Sequence, residues 1–305
     1  MDNLFQELSA STRTNRINFL NSIGVSPSNY GKLADINKIM KTYIKNSGKS
    51  TTQSTRCWHV IKFLEAIGNT ELAEAYKAAS QFIIKESFKK QADTTTTDRA
   101  ERYAIKLDEL QDILSKKAPV FSSLENTISS VKVYQNYLLM RLYANEPALR
   151  NDYWGMKIVN KAADINTEGN FLVLNPKVCY FYLNRFKNAN HLGPQRIPIS
   201  KDTVKVIRDL MKLYKRTDIE PEYLFNQFEG GVVSPTSEDT MKKRIKYVAN
   251  EYFGVPLSIN DWRHLHEIQT QSSDKYKDMS YEEKQLAHRR LLHSMTTGLK
   301  YNRLV

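Results

Sequence analysis

"YLLMRLYANEPALRNDYWGMKIV", residues 137–159, carries two periodicities on either side of one proline. The run from Ser123 to Ala144 reads as a long helix that stops near Asn145-Glu146-Pro147, because a proline pushes the residue before it out of the helical region. Beyond the proline, "YWGMKIV" is rich in aromatic and β-branched side chains, which suit a half-buried strand. The chain therefore changes from helix to sheet here, and Arg150 lies in the turn between them.

Working downstream, "NFLVLN" (170–175), "KVCYFYLNRF" (177–186) and "QRIPIS" (195–200) continue the strand pattern. They are separated by Gly169-Asn170 and by the polar stretch "KNANHLGP". This predicts a small antiparallel sheet with Lys187 at a hairpin tip. Helices resume with "KDTVKVIRDLMKLYKR" (201–216), where Val204, Ile207, Met211 and Tyr214 form an apolar line and Lys205, Arg208, Lys212 and Lys215 a basic one. Further helices are expected at about 236–253, 259–272 and 280–292, and a short last one carries Tyr301. Lys242, Lys243 and Arg244 open the basic run "KKRIK", which is more readily a phosphate-facing or solvated helix face than a nuclear address.

Upstream, "RAERYAIKLDELQDIL" (99–114) reads as one more helix, and the first ninety or so residues show helix starts with little strand pattern. In "STTQSTRCWHVIKFLEAIGN" (50–69), Ser50 and Thr51 are caps, Cys57, Val60, Ile61, Leu64 and Ile67 recur at helical spacing, and Gly68 is a stop. The opposite face carries Thr55, His59 and Lys62, groups suited to phosphate or simply to solvent. Residues 1–91 are thus an expected all-helical domain, "ADTTTTD" (92–98) a linker, and 99–305 a second, α+β domain.

Lysine and arginine number 45 against 33 acidic residues, a formal net charge of 45 − 33 = +12. A surplus of this sign favours an anionic partner, and a polyphosphate gains most through counterion release. Cys57 and Cys179 are far apart and suggest neither a disulfide framework nor a cysteine metal site. There is no basic leader followed by an apolar run, and no stretch of about 18 apolar residues. A soluble, intracellular protein with no membrane partner is expected.

Tyr301 raises the question of nucleophilic chemistry. A phenol with an ordinary pKa of about 10 attacks a phosphodiester poorly unless cations meet the charge that builds on the phosphate oxygens. Arginine forks meet that charge best, and a lysine or histidine must protonate the leaving oxygen. "LRNDYWGMKI", "QRIPIS", "NDWRH" and "LHSMTTGLKY" supply Arg150, Arg263 and His293, and the hairpin supplies Lys187.

In that order the residues resemble the signature of the tyrosine recombinases, the phage-integrase-like family. The divergent wording is more similar to recombinases of eukaryotic mobile elements or large DNA viruses. The resemblance spans about residues 99–305 and implies a two-domain, mainly α DNA clamp with a small antiparallel sheet: a helical, SAM-like core-binding domain followed by an α+β catalytic domain. It implies that Arg150 and Arg263 bind the scissile phosphate, Lys187 donates to the leaving 5′ oxygen, His293 supports the phosphate, and Tyr301 forms a 3′-phosphotyrosyl link. It further implies double-stranded DNA as partner, a tetramer in a DNA synapse, a monomer when free, and no cofactor. Asn260 stands where the family usually has histidine; an amide hydrogen-bonds but does not shuttle a proton. The alternative is a recombinase-fold DNA-binding regulator without catalysis.

A histidine metal site is not expected. His264 and His266 are two apart and leave opposite faces of a helix, while His288 and His293 are five apart rather than four.

Overall fold

The computed structural model describes residues 1–8, 10–92, 104–230 and 232–301. Their contacts divide between two units, Met1–Thr94 and Thr95–Val305, each with its own apolar core.

Among the described residues of the first unit the regular elements are helical, apart from one isolated bridge between Ser26 and Asn29: α1 (Ala10–Ser22), α2 (Ile36–Ile39) running into a single π turn (Met40–Ile44), α3 (Ser50–Ala66) and α4 (Thr70–Ala92). Asp35 caps α2 by accepting from the Lys38 N–H, which satisfies one of the donors a helix start leaves open. Gly68, at φ 79°, makes the turn that folds α4 back on α3; a side chain is strongly disfavoured in that backbone region. Cys57, Val60, Ile61 and Leu64 are fully buried with Leu20, Ile44 and Tyr76. His59 departs from the reading of α3. It is only 8% exposed, its ring lies 6.0 Å from that of Phe19, and burial beside Arg16 holds its pKa down at about 4. The buried arc of α3 is wider than the apolar spacing implied, because α1 covers its flank. Residues 93–98 of the expected linker, and 99–103 of the helix expected next, lie outside the described residues.

The second unit is built around α6 (Ile128–Asn145), preceded by α5 (Leu107–Lys116). Thr127 caps α6 by accepting from the Ser130 N–H. Ten of its side chains, from Val131 to Ala144, are buried, so it is a central helix rather than a one-faced one. Glu146 is extended, at φ −108° and ψ 162°, as the following proline demands.

Strands β1 (Lys157–Val159), β2 (Asn170–Leu174), β3 (Cys179–Leu183) and β4 (Gln195–Pro198) form one sheet in that order. β2–β3 and β3–β4 are antiparallel, with Phe181 opposite Leu172 on one side and Ile197 on the other. β1 differs from the expectation: it pairs parallel to β2, Ile158 opposite Leu172. Residues 160–169 return to the start of the sheet through a short 3-10 turn at Ala162–Asp164, a crossover that parallel pairing requires. The sheet is therefore mixed. The β3–β4 connection holds a single helical turn, α7 (Ala189–Leu192).

Then follow α8 (Lys201–Arg216), a hairpin of β5 (Asn226–Glu229) and β6 (Val232–Pro235), α9 (Glu238–Phe253), α10 (Ile259–Ser272), α11 (Asp274–Asp278), α12 (Tyr281–Arg289) and α13 (Met295–Tyr301). The β5–β6 hairpin and α11 have no counterpart in the sequence reading. The buried face of α8 runs through Thr203, Val206, Ile207, Leu210, Leu213 and Tyr214. It is turned slightly from the expected line, leaving Val204 and Met211 half-buried. Among the described residues, no helix is long and apolar enough to cross a membrane.

Candidate functional site

The turn after α6 is held rigidly before it presents anything. The Tyr143 hydroxyl donates to the Arg150 carbonyl at 2.8 Å, the Arg150 N–H to Asp152 Oδ2 at 3.0 Å, and Asn151 Nδ2 to the Glu238 carbonyl at 3.1 Å. Burial raises the Asp152 carboxyl to about 6, against the pull of the Arg150 N–H and of the Arg150 and Arg263 charges.

The β3–β4 connection is tied to the same turn by one side chain. Asn170 Nδ2 donates to the carbonyls of Asp152 and Arg185 at 3.1 and 2.9 Å. Its Oδ1 accepts from the N–H groups of Asn184 and Arg185 at 3.1 and 2.9 Å. A buried amide satisfied at both ends fixes two loops relative to each other. Nothing in the strand pattern singles Asn170 out except that it is a polar residue at the head of an otherwise apolar strand.

The first turn of α10 is closed by a reciprocal cap: Asp261 N–H to Ser258 Oγ at 3.3 Å and Ser258 N–H to Asp261 Oδ2 at 2.7 Å. Asn260 is exposed beside it.

These three pieces and α9 surround a cavity of about 550 Å³, lined among others by Arg150, Asp152, Trp154, Arg185, Lys187, Glu238, Lys242, Lys246 and Asn260. Five of the lining side chains are basic and two acidic. The start of α10 adds the positive end of a helix. The charge of such a concavity suits an oxyanion, although Lys242 is already paired within it to Glu238 at 2.6 Å. Sequence reasoning did not single out Arg185 or Trp154, and reached Lys246 only as the last residue of the basic run "KKRIK". Lys246 sits four residues after Lys242, hence on the same face of α9.

Arg150, Lys187, Asn260 and Lys242 thus share one cavity; Arg263 and His293 do not line it. Arg263 is 0% exposed, and its two terminal nitrogens donate to the carbonyls of Ala148 and Leu291, each at 2.7 Å. It clamps the Arg150 turn to the turn before α13. His266 Nε2 braces the same region at 2.7 Å from the Tyr143 carbonyl, and burial holds its pKa down at about 4. His293 is 3% exposed, with Nε2 at 3.0 Å from Glu267 Oε1. Asn188 Nδ2, next to Lys187, donates to the Leu292 carbonyl at 2.8 Å, so the Asn188 side chain joins the lysine loop to the histidine turn. Tyr301 is the last residue of α13; its side chain lies outside what is described.

The other basic candidates are dispersed. Lys62 is exposed and paired with Glu65 at 2.7 Å. On α8, Lys212 pairs with Asp209 at 2.8 Å, Arg208 donates to the Asn175 and Pro176 carbonyls at 3.1 and 3.0 Å, and Lys205 lines a separate groove. On α9, Lys243 is exposed, whereas Arg244 turns inward to Asn136 Oδ1 at 2.8 Å and burial lowers its pKa to about 10.

No family model and no curated protein matches the chain. Among solved structures, one described as "Crystal structure of XerA recombinase" is similar at 14% identity over 98% of this chain and 90% of that one, with a TM-score of 0.36.

Proposed function

We propose that the second unit is a DNA strand transferase of the tyrosine recombinase type, and that the basic cavity receives the backbone phosphate. The observation that carries this reading is the convergence of Arg150, Lys187 and Asn260, from three remote segments, on one cavity enriched in Arg185, Lys242 and Lys246. In the proposed step, Tyr301 Oη forms a bond to phosphorus while the bond from phosphorus to the 5′ oxygen breaks. The phenol proton is lost to water, and Lys187 supplies a proton to the leaving oxygen. Arg150 and Asn260 hold the nonbridging oxygens. Arg263 acts behind them by fixing the Arg150 turn. The ester retains the bond energy, so a 5′ hydroxyl reverses the step without an energy source, and a synapse of several protomers would exchange strands.

The burial of Arg263 against two carbonyls favours a second reading, a DNA-binding regulator that does not cleave, because one of the two expected guanidiniums is already engaged. One experiment separates them. A pool of nicked duplexes with randomised sequence is incubated with the chain and probed for an SDS-stable protein–DNA adduct. An adduct that vanishes in Tyr301→Phe and Arg150→Ala supports the transferase. Salt-sensitive binding with no adduct supports the regulator, and the absence of binding removes both.

A further inference from the structure

Glu267, His288 and His293 form a group separate from the basic cavity. Glu267 lies in the third turn of α10, His288 at the end of α12 and His293 in the turn before α13, and they are 1%, 0% and 3% exposed. His288 Nδ1 is 2.8 Å from Glu267 Oε2 and His293 Nε2 is 3.0 Å from Oε1. One atom from each residue falls within 4.8 Å of the others.

The outer side of the group settles which way the rings face. His293 Nδ1 is 3.0 Å from the Ser294 carbonyl, which only accepts, so that nitrogen carries a proton. In a neutral ring, Nε2 then presents a lone pair to a carboxylate oxygen 3.0 Å away. Two lone pairs at that distance repel unless a proton or a metal cation lies between them. His288 Nε2 is 2.7 Å from the Tyr276 hydroxyl, and Gln271 Nε2 donates to Glu267 Oε2 at 2.9 Å. Each of the three inward-facing groups therefore has an outer partner that fixes its orientation, the arrangement that accompanies histidine–carboxylate metal ligation.

The backbone is shaped to the group as well. A Cβ on Gly298 would stand 2.1 Å from His288 Nδ1, so only glycine lets α13 approach the ring. Gln271 Nε2 also donates to the Gly298 carbonyl at 3.0 Å. Two imidazoles and one carboxylate, buried and oriented, are the donor set of a three-ligand zinc site.

We propose that Glu267, His288 and His293 bind one divalent transition-metal ion of the zinc class, which ties α10 and α12 to the helix that carries Tyr301. A metal here braces α13 whether or not the chain cleaves DNA, and its detection requires no DNA.

The test is a titration of the chelator-treated full chain with Co²⁺, followed by displacement with Zn²⁺. One equivalent of Co²⁺ with the visible bands of a four- or five-coordinate ion, displaced by Zn²⁺ and accompanied by a higher thermal midpoint, is expected. Glu267→Gln and His293→Asn should each weaken binding by more than the roughly 10–100-fold that loss of an outer partner costs. His191→Ala, at an exposed histidine outside the group, should bind as the wild type does. If the ligand variants fail to fold, the wild type and His191→Ala still decide: stoichiometric low-coordinate Co²⁺ in both supports the site. Absence of stoichiometric uptake, a six-coordinate spectrum, loss of binding in His191→Ala, or folded ligand variants that bind normally overturns it.

Discussion

Asp152 shows how one side chain in the Arg150 turn carries opposing demands. It accepts the Arg150 N–H, yet burial raises its carboxyl from 3.8 to about 6. Between those values the native state holds a proton that the unfolded chain has released, so stability falls as pH rises from about 4 to about 6. The shift corresponds to about 3 kcal/mol at neutral pH. Asp152→Asn keeps an acceptor for the N–H and removes the charge. Urea unfolding at pH 4 and pH 7 should show the variant gaining on the wild type at the higher pH; equal differences at both would deny the shift. Gly298 makes a steric demand of the same local kind. Gly298→Ala improves helix propensity by about 1 kcal/mol but places a methyl against His288, where overpacking costs about 1–3 kcal/mol or more. A net loss of thermal stability is expected, and a gain would mean that α13 does not lie against that ring.

The site belongs to junctions between elements, and Asn170 is the junction that holds the turn after α6 to the β3–β4 connection. Asn170→Ala leaves two N–H groups and two carbonyls without their amide partner. We expect a loss of about 2–4 kcal/mol in urea unfolding, several partly hydrated groups adding to the usual cost of one, with weakened DNA binding through displaced Arg185 and Lys187. Unchanged stability would show that the loops position themselves. α6 and its stop before Pro147 were legible in the sequence because they depend on neighbours within a few residues, whereas its start, read at Ser123, lies at Ile128 behind a Thr127 cap that the reading did not name. So were β2, β3 and β4, whose side chains alternate or run apolar. The parallel pairing of β1 was not legible, because "GMKIV" encodes a strand but not its partner. Arg263 was legible as a basic residue at a helix start. Its engagement by Ala148 and Leu291, 115 and 28 residues away, depends on chain crossings that no local pattern records. Glu267 was missed because histidine spacing was weighed pair by pair, whereas the carboxylate between the rings comes from another helix.

At the scale of the whole molecule, the excess of basic residues gives a net charge of +12, but that charge is not spent evenly. Lys62, Lys212 and Lys277 are paired with carboxylates at 2.7 to 2.8 Å, whereas Arg185, Lys187 and Lys246 gather at one cavity, beside Lys242, which pairs there with Glu238 at 2.6 Å. If phosphates enter there, binding should follow counterion release, with log K falling linearly in log salt and each lost phosphate contact reducing the slope by about 0.9. The double variant Lys187→Ala and Lys246→Ala should therefore flatten the slope by about 2 across duplexes of any sequence, because phosphate contacts carry affinity without reading bases. Lys277→Ala, on α11 and already paired with Asp274, should leave it unchanged. Equal slopes for the double variant and the wild type, measured by fluorescence anisotropy over a salt series, would mean that DNA, if bound at all, lies on a different face of the protein.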